Sequence, residues 1–199
     1  MTTVIPPALY LASKSPRRAE LLKILGIPFT TLSTHIDETP LNDEKGEDHV
    51  LRLALEKARC GYQQLPQGIP AIVLGSDTII LFDDEILGKP QSREHALTML
   101  KKLSGHTHKV LTAIAVAGEQ EHVRLNVNHV KFRDTSEIER IQYWDTGEPQ
   151  DKAGSYAIQG IGATFIKHLE GSYSGVMGLP LFETGELLRH FGIEVLVDE

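Results

Sequence analysis

The sequence predicts a mixed α/β fold, in which helices pack around a mixed sheet. Three observations carry this prediction. Short apolar strand-like segments alternate with stretches of helical periodicity. Residues Ala71 to Phe82 form the most apolar run and are rich in β-branched side chains. Lys109–Ala117 and Val123–Phe132 flank Gly118-Glu119-Gln120 as a long antiparallel pair. The chain has 199 residues, 41% of them hydrophobic and 24% charged, which suits a single domain over 1–199 with room for two lobes.

Leu9 to Ala12 reads as a short strand that breaks at Ser13. A helix follows, with Ser15 as its N-cap, Pro16 in its first position and Gly26 at its stop. Leu21, Leu22 and Leu25 give that helix one buried face. Phe29 to Ser33 is a second strand, and the acidic stretch Asp37 to Glu47 is a loop. Asp48 to Leu65 is a strong helix whose apolar stripe is Leu51, Ala54, Leu55, Ala58 and Tyr62. After the central strand, Asp83-Asp84 turns the chain and Glu85 to Lys89 runs back. Ser92–Leu103, Ser136–Trp144 and Pro180–Phe191 are helices. Gly147–Gly162 is a glycine-containing loop, and Ala163–His168 is a strand. The strand order stays open.

Composition excludes several classes of function. A net charge of -7 disfavours general binding to nucleic-acid backbone. The single cysteine, Cys60, allows no internal disulfide, fits a reducing compartment and reads as a core residue. No run is long enough to span a bilayer, and Met1–Ser13 lacks a secretory pattern, so the expected location is the cytoplasm. Neither HExxH, a CxxC pair, G-x-S-x-G nor a Walker loop is present.

Five features carry chemistry. Ser13-Lys14-Ser15-Pro16-Arg17-Arg18 is a strand-to-helix turn, where free amides and three cations suit a phosphate. Cations in a first turn oppose the helix dipole, and a bound anion reverses that cost. Asp77 interrupts the longest apolar run and needs a cation, hydrogen bonds or a proton, unless Gly75-Ser76-Asp77 is a turn. In a hairpin turning at Asp83-Asp84, Lys89 returns opposite Asp77 and Thr78 and supplies that cation. Lys57 lies on the row Val50, Leu53, Lys57, either snorkelling at a core edge or facing a site. Asp37-Glu38 is either a solvated pair or a source of one oxygen ligand for Mg²⁺. In Asp151-Lys152-Ala-Gly-Ser-Tyr-Ala-Ile-Gln159-Gly, glycines permit close approach and Gln159 can pair with a base edge.

In order along the chain, LYLASKSPRR, Asp37-Glu38, LALEKA, GSDTI, LGKP, LSGHTH, DKAGSYAIQG and GVMGLPL resemble the Maf-like proteins, also called septum formation inhibitor homologues. The resemblance spans residues 9 to about 188. It implies a fold similar to the inosine triphosphate pyrophosphatases, with an elongated mixed sheet, two lobes and a cleft between them, together with a homodimer and metal-dependent hydrolysis of a nucleoside triphosphate to a monophosphate and pyrophosphate. It implies that Asp77 is the proton acceptor and that Arg18, Thr78 and Gln159 govern substrate choice. Ser13, Arg17, Glu38, Lys57 and Lys89 then line the phosphate and metal site, with Glu38 and Asp77 as ligands of Mg²⁺ or Mn²⁺.

Within the family, a 7-methyl-GTP subgroup typically has tryptophan after Ser-Pro, Gln after the catalytic Asp and Glu near the position of Gln159. This chain has Arg17, Thr78 and Gln159 there and so resembles the dTTP/UTP subgroup, which limits or cleans nucleotide pools. The competing class is a non-catalytic nucleotide-sensing protein in cell-division control. The complete set of charged site residues speaks against it.

Overall fold

The computed structural model describes residues 6–196. Met1–Ile5, part of the segment read for a secretory pattern, lies outside the described residues. The elements are β1 (Ala8–Ala12), α1 (Pro16–Ile24), β2 (Phe29–Leu32), α2 (Gly46–Tyr62), β3 (Ala71–Phe82), β4 (Glu85–Leu87) and α3 (Arg93–Leu103), followed by β5 (Thr107–Ala117), β6 (Glu121–Phe132), α4 (Glu137–Asp145), β7 (Ile166–Glu170), α5 (Tyr173–Met177) and α6 (Leu181–Arg189). One mixed sheet runs β2-β1-β3-β5-β6-β7, with β4 also paired to β3. β1 lies parallel to β2 and β3, and the remaining pairs are antiparallel.

Strand alternation divides β3 between two faces. Ile79 and Leu81 join Leu111, Ala113, Ala115 and Ala117 under α2. The alanines on β5 and Gly75 on β3 let α2 lie close. A Cβ on Gly75 would stand 2.3 Å from the carbonyl oxygen of Ala54 and 2.7 Å from the amide nitrogen of Ala58. This tight contact sets the rotation of the helix. Its buried row is Val50, Leu53, Ala54, Ala58 and Gly61, while Leu51, Leu55 and Tyr62 are only partly buried. Lys57 therefore points toward β3 more directly than the sequence stripe implied.

The opposite face holds two apolar clusters. Ile72, Leu74, Ile114 and Val116 pack with α1 and α6. Ile80, Val110, Val130 and Phe132 pack with α3, Tyr143 and Tyr156. Between them runs a polar rung in which Thr78 pairs with Thr112 and Thr112 pairs with Asn126. Helix α5 sits on this rung, and a Cβ on Gly175 would come within 2.1 Å of Asn126 Oδ1.

The topology also opens a cleft. β5 occupies one edge of β3 from Val73 to Leu81. β1 and β4 must share the other edge, and they pair with Ala71–Gly75 and Ile80–Phe82 respectively. Residues 76–79 on that edge carry no strand, leaving a gap of about 13 Å at ~3.3 Å per residue. Asp77 and Thr78 stand at its floor.

Several expected boundaries move. Asp83 and Asp84 adopt φ of 49° and 63°, a two-residue turn with both centres left-handed. β4 ends at Leu87, because Gly88 turns away and its carbonyl accepts from Gly154 N at 3.0 Å. Residues Ile161–Phe165 form a tight helical turn, so β7 starts at Ile166. Helix α5 was not anticipated in the sequence. Cys60 is half-buried, its Sγ 3.9 Å from His35 O, and is not a core residue.

Candidate active site

The gap in the β3 edge widens into a cleft of ≈ 690 Å³. Ser13, Arg17, Arg18, Glu38, Lys57, Asp77, Thr78, Lys89 and Gln159 all line it. The volume lies within the range of small-molecule sites.

At the floor, Asp77 is 8% exposed and accepts from Lys57 Nζ at 2.7 Å. The same ammonium lies 2.6 Å from Glu38 Oε1. The buried carboxylate thus gains its counter-ion from α2, not from the returning hairpin. Lys89 lines the cleft and makes no ion pair among the described residues. The expected Asp77–Lys89 pair does not form: β4 stops two residues short, and close packing of α2 brings Lys57 in instead. Partial burial acts to raise the Glu38 pKa, but Lys57 and, more weakly, Lys89 and Arg18 outweigh it and hold the carboxyl below its ordinary range.

One oxygen of each carboxylate is engaged by Lys57. Asp77 Oδ2 and Glu38 Oε2 have no protein donor among the described residues. No cluster of three or more His, Cys, Asp or Glu suited to a metal occurs among the described residues. Two free carboxylate oxygens fit a hard divalent cation that completes its shell with phosphate and water, as Mg²⁺ does.

The turn at Ser13 forms the upper wall. Ser13 Oγ accepts from Ser15 N at 3.1 Å. Ser15 holds the N-cap position, yet its side chain makes no capping bond. The amides of Arg17 and Arg18 consequently lack acceptors among the described residues. Arg17 makes no ion pair among the described residues, and Lys14 Nζ lies 2.8 Å from His35 Nε2.

Arg18 reaches across to the polar rung. Its Nε donates to the Gly178 carbonyl at 2.8 Å and its Nη2 donates to Thr78 Oγ1 at 3.1 Å. Burial lowers the Arg18 pKa, and Asp77 opposes that effect. Ser76 Oγ donates to the same carbonyl at 2.9 Å. Gly178, with φ of 113°, ends α5 and aims that carbonyl.

Two further clamps were not anticipated from the sequence. Glu44 accepts from Arg52 Nε at 2.6 Å and Nη2 at 2.8 Å, and from the Leu41 amide at 3.0 Å. Arg52 Nη2 also donates to Thr39 O at 3.2 Å, so the pair laces down the loop carrying Glu38. Next to the cleft-lining segment that ends at Gln159, Glu148 accepts from Tyr143 Oη at 2.6 Å, Ile161 N at 2.8 Å and Gly162 N at 3.0 Å. Tyr143 Oη accepts from Ala157 N at 3.1 Å. Gln159 is exposed, but its backbone is pinned on both sides. Both carboxylates resemble ordinary surface charges in sequence, and only their distant partners reveal them.

A profile of the family described as Maf-like protein matches residues 8–191. The chain is 54% identical over 191 residues to a protein of Alkalilimnicola ehrlichii named dTTP/UTP pyrophosphatase, covering 94% of this chain and 95% of that one. It is 49% identical to a protein of the same name from Pasteurella multocida, covering 94% and 96%. Among solved structures, a nucleoside-triphosphatase (dITP/XTP pyrophosphatase) from Mycobacterium abscessus is similar with a TM-score of 0.43 and 18% identity, over 63% of this chain and 74% of that chain.

Proposed function

The chain belongs to the Maf-like protein family, and we propose that it hydrolyses dTTP and UTP to the monophosphate and pyrophosphate. The single observation that carries the chemistry is the Glu38–Lys57–Asp77 triad at the cleft floor, with contacts of 2.6 and 2.7 Å. Support for the substrates comes from the two relatives named dTTP/UTP pyrophosphatase at about half identity.

In this reading the triphosphate lies against the Ser13–Arg18 turn. The amides of Arg17 and Arg18 and the Arg17 guanidinium hold phosphate oxygens. Lys89 faces them from the opposite wall, and Lys57 offers its remaining proton to the chain of phosphates. Asp77 Oδ2 orients a water and takes its proton as the water oxygen bonds to the α-phosphorus. The bond from that phosphorus to the bridging oxygen breaks, and pyrophosphate leaves with the pair of electrons. Charge growing on the leaving group is met by Arg17 and Lys89. Mg²⁺ or Mn²⁺, held by Glu38 and Asp77 with phosphate oxygens, would supply Lewis-acid stabilisation of that charge. Arg18, Thr78 and Gln159 surround the base end. The unit of activity is the single domain 1–199, acting as a homodimer that limits or cleans nucleotide pools in the cytoplasm. No helix among the described residues is long and apolar enough to cross a membrane.

A nucleotide panel with Mg²⁺ or Mn²⁺ tests the reading. Monophosphate plus pyrophosphate from dTTP and UTP is expected. Diphosphate plus orthophosphate, or tight binding without turnover under any divalent cation, would overturn it.

A further inference from the structure

The hydroxyls of the polar rung have only one consistent arrangement of protons. Thr112 is fully buried, and its Oγ1 lies 2.7 Å from the Gly175 carbonyl. A carbonyl only accepts, so the one hydroxyl proton of Thr112 is spent there. Thr112 Oγ1 also lies 3.0 Å from Thr78 Oγ1. That contact needs a proton, and Thr78 must supply it. Arg18 Nη2 meanwhile donates to Thr78 Oγ1 at 3.1 Å. The relay runs in one direction, from Arg18 to Thr78 to Thr112 to the Gly175 carbonyl. Thr78 keeps no proton for a ligand and offers the cleft a single remaining lone pair.

We propose that Thr112 is a specificity-determining positioning residue: by taking the Thr78 proton it fixes Thr78 as an acceptor, which selects bases presenting a ring N–H. Uracil and thymine carry N3–H, whereas cytosine has an acceptor at N3. Two acceptors facing each other leave both unpaired, a large penalty in a half-closed site. Arg18, a donor without any acceptor, stands beside Thr78 and complements the adjoining carbonyl. Thr112 touches no substrate. It acts through the hydroxyl it orients.

The inference rests on the proposed dTTP/UTP hydrolysis and is tested by the selectivity for dTTP over dCTP. Thr112→Val keeps the shape and removes the acceptor, so Thr78 is free to donate. Thr112→Ser keeps the relay. The expected dTTP:dCTP ratio of kcat/KM falls about 10-fold in Thr112→Val, mainly through a lower KM for dCTP, and recovers in Thr112→Ser to within about twofold of wild type. Thr78→Val, which leaves Thr112 intact, should also lower the ratio, and it keeps the proposal testable if Thr112→Val does not fold. An unchanged ratio in both valine variants would overturn the proposal. So would an equal loss on both nucleotides in Thr112→Val, since a scaffold role does exactly that. Wild-type protein that fails to turn over dTTP would remove the underlying reading as well, a failure visible before any variant is made.

Discussion

Replacing Gly75 with alanine should disturb the active site without changing any residue that lines the cleft. The new Cβ would lie 2.3 Å from the Ala54 carbonyl oxygen, 2.7 Å from the Ala58 nitrogen and 3.1 Å from the Ala58 Cβ. Two of these are helix backbone, so no rotamer change relieves the contact. Restoring ordinary van der Waals separation requires α2 to retreat about 1 Å. Overpacking of this kind costs about 1–3 kcal/mol, or roughly 5 °C in Tm for a chain of this size. Lys57 rides on α2, and its 2.7 Å contact with Asp77 would pass out of hydrogen-bond range. Misplacement by about 1 Å can cost about 100-fold in rate. Thermal unfolding and steady-state dTTP hydrolysis measure both effects on one preparation. Expected are a lower Tm and a kcat down by about two orders of magnitude, with the larger share in kcat. A variant with wild-type Tm and turnover would refute the claim that close packing at Gly75 positions Lys57.

Further expectations concern separate parts of the molecule. Glu148→Gln keeps one acceptor oxygen but places an NH2 donor against either the Ile161 or the Gly162 amide, which bond different carboxylate oxygens; this should loosen the Gln159 segment and raise the KM for dTTP about fivefold with little change in kcat. An unaltered KM would separate that clamp from substrate binding. His108 is 2% exposed, and burial lowers its pKa to about 3. Its folded pKa lies below the unfolded value, so the unfolded chain binds the extra proton. Stability from this group is full above about pH 6.5 and is lost as pH falls toward about 3, by up to about 1.4 kcal/mol per pH unit. His108→Gln should flatten that slope in urea unfolding at pH 6, 5 and 4, and an identical slope would contradict the assignment. Chelation with EDTA should abolish turnover and added Mg²⁺ or Mn²⁺ should restore it, whereas full activity in EDTA would remove the metal from the mechanism.

Much of this fold was legible because its signals are local. Alternation marked the β5–β6 pair, and Gly118 marked its turn. Asp77 stood out as a carboxylate inside an apolar run, and the run proved to be the central strand. The turn at Ser13 announced itself by its cations, although Ser15 does not cap with its side chain. What escaped depends on contacts between distant segments. Periodicity puts Lys57 beside the apolar stripe, and its pairing with Asp77 follows from the fit of Gly75 against Ala54 and Ala58, which periodicity does not encode. A hairpin register continued in sequence pairs Lys89 with Asp77, but the observed register ends at Leu87. Helix α5 has five residues and lies between glycines at 171 and 178, too short for a helical period to register. Glu44 matters chiefly through Arg52, 8 residues away, and Glu148 through the Ile161 and Gly162 amides, 13 and 14 residues away, so neither declares itself by type alone.

The central claim is that water attacks the α-phosphorus under the direction of Asp77. Hydrolysis of dTTP in ¹⁸O-labelled water, with mass analysis of both products, tests it directly. The account predicts the label in dTMP and none in pyrophosphate, with the reaction lost in Asp77→Asn. Label recovered in pyrophosphate, or in orthophosphate alongside dTDP, would contradict it.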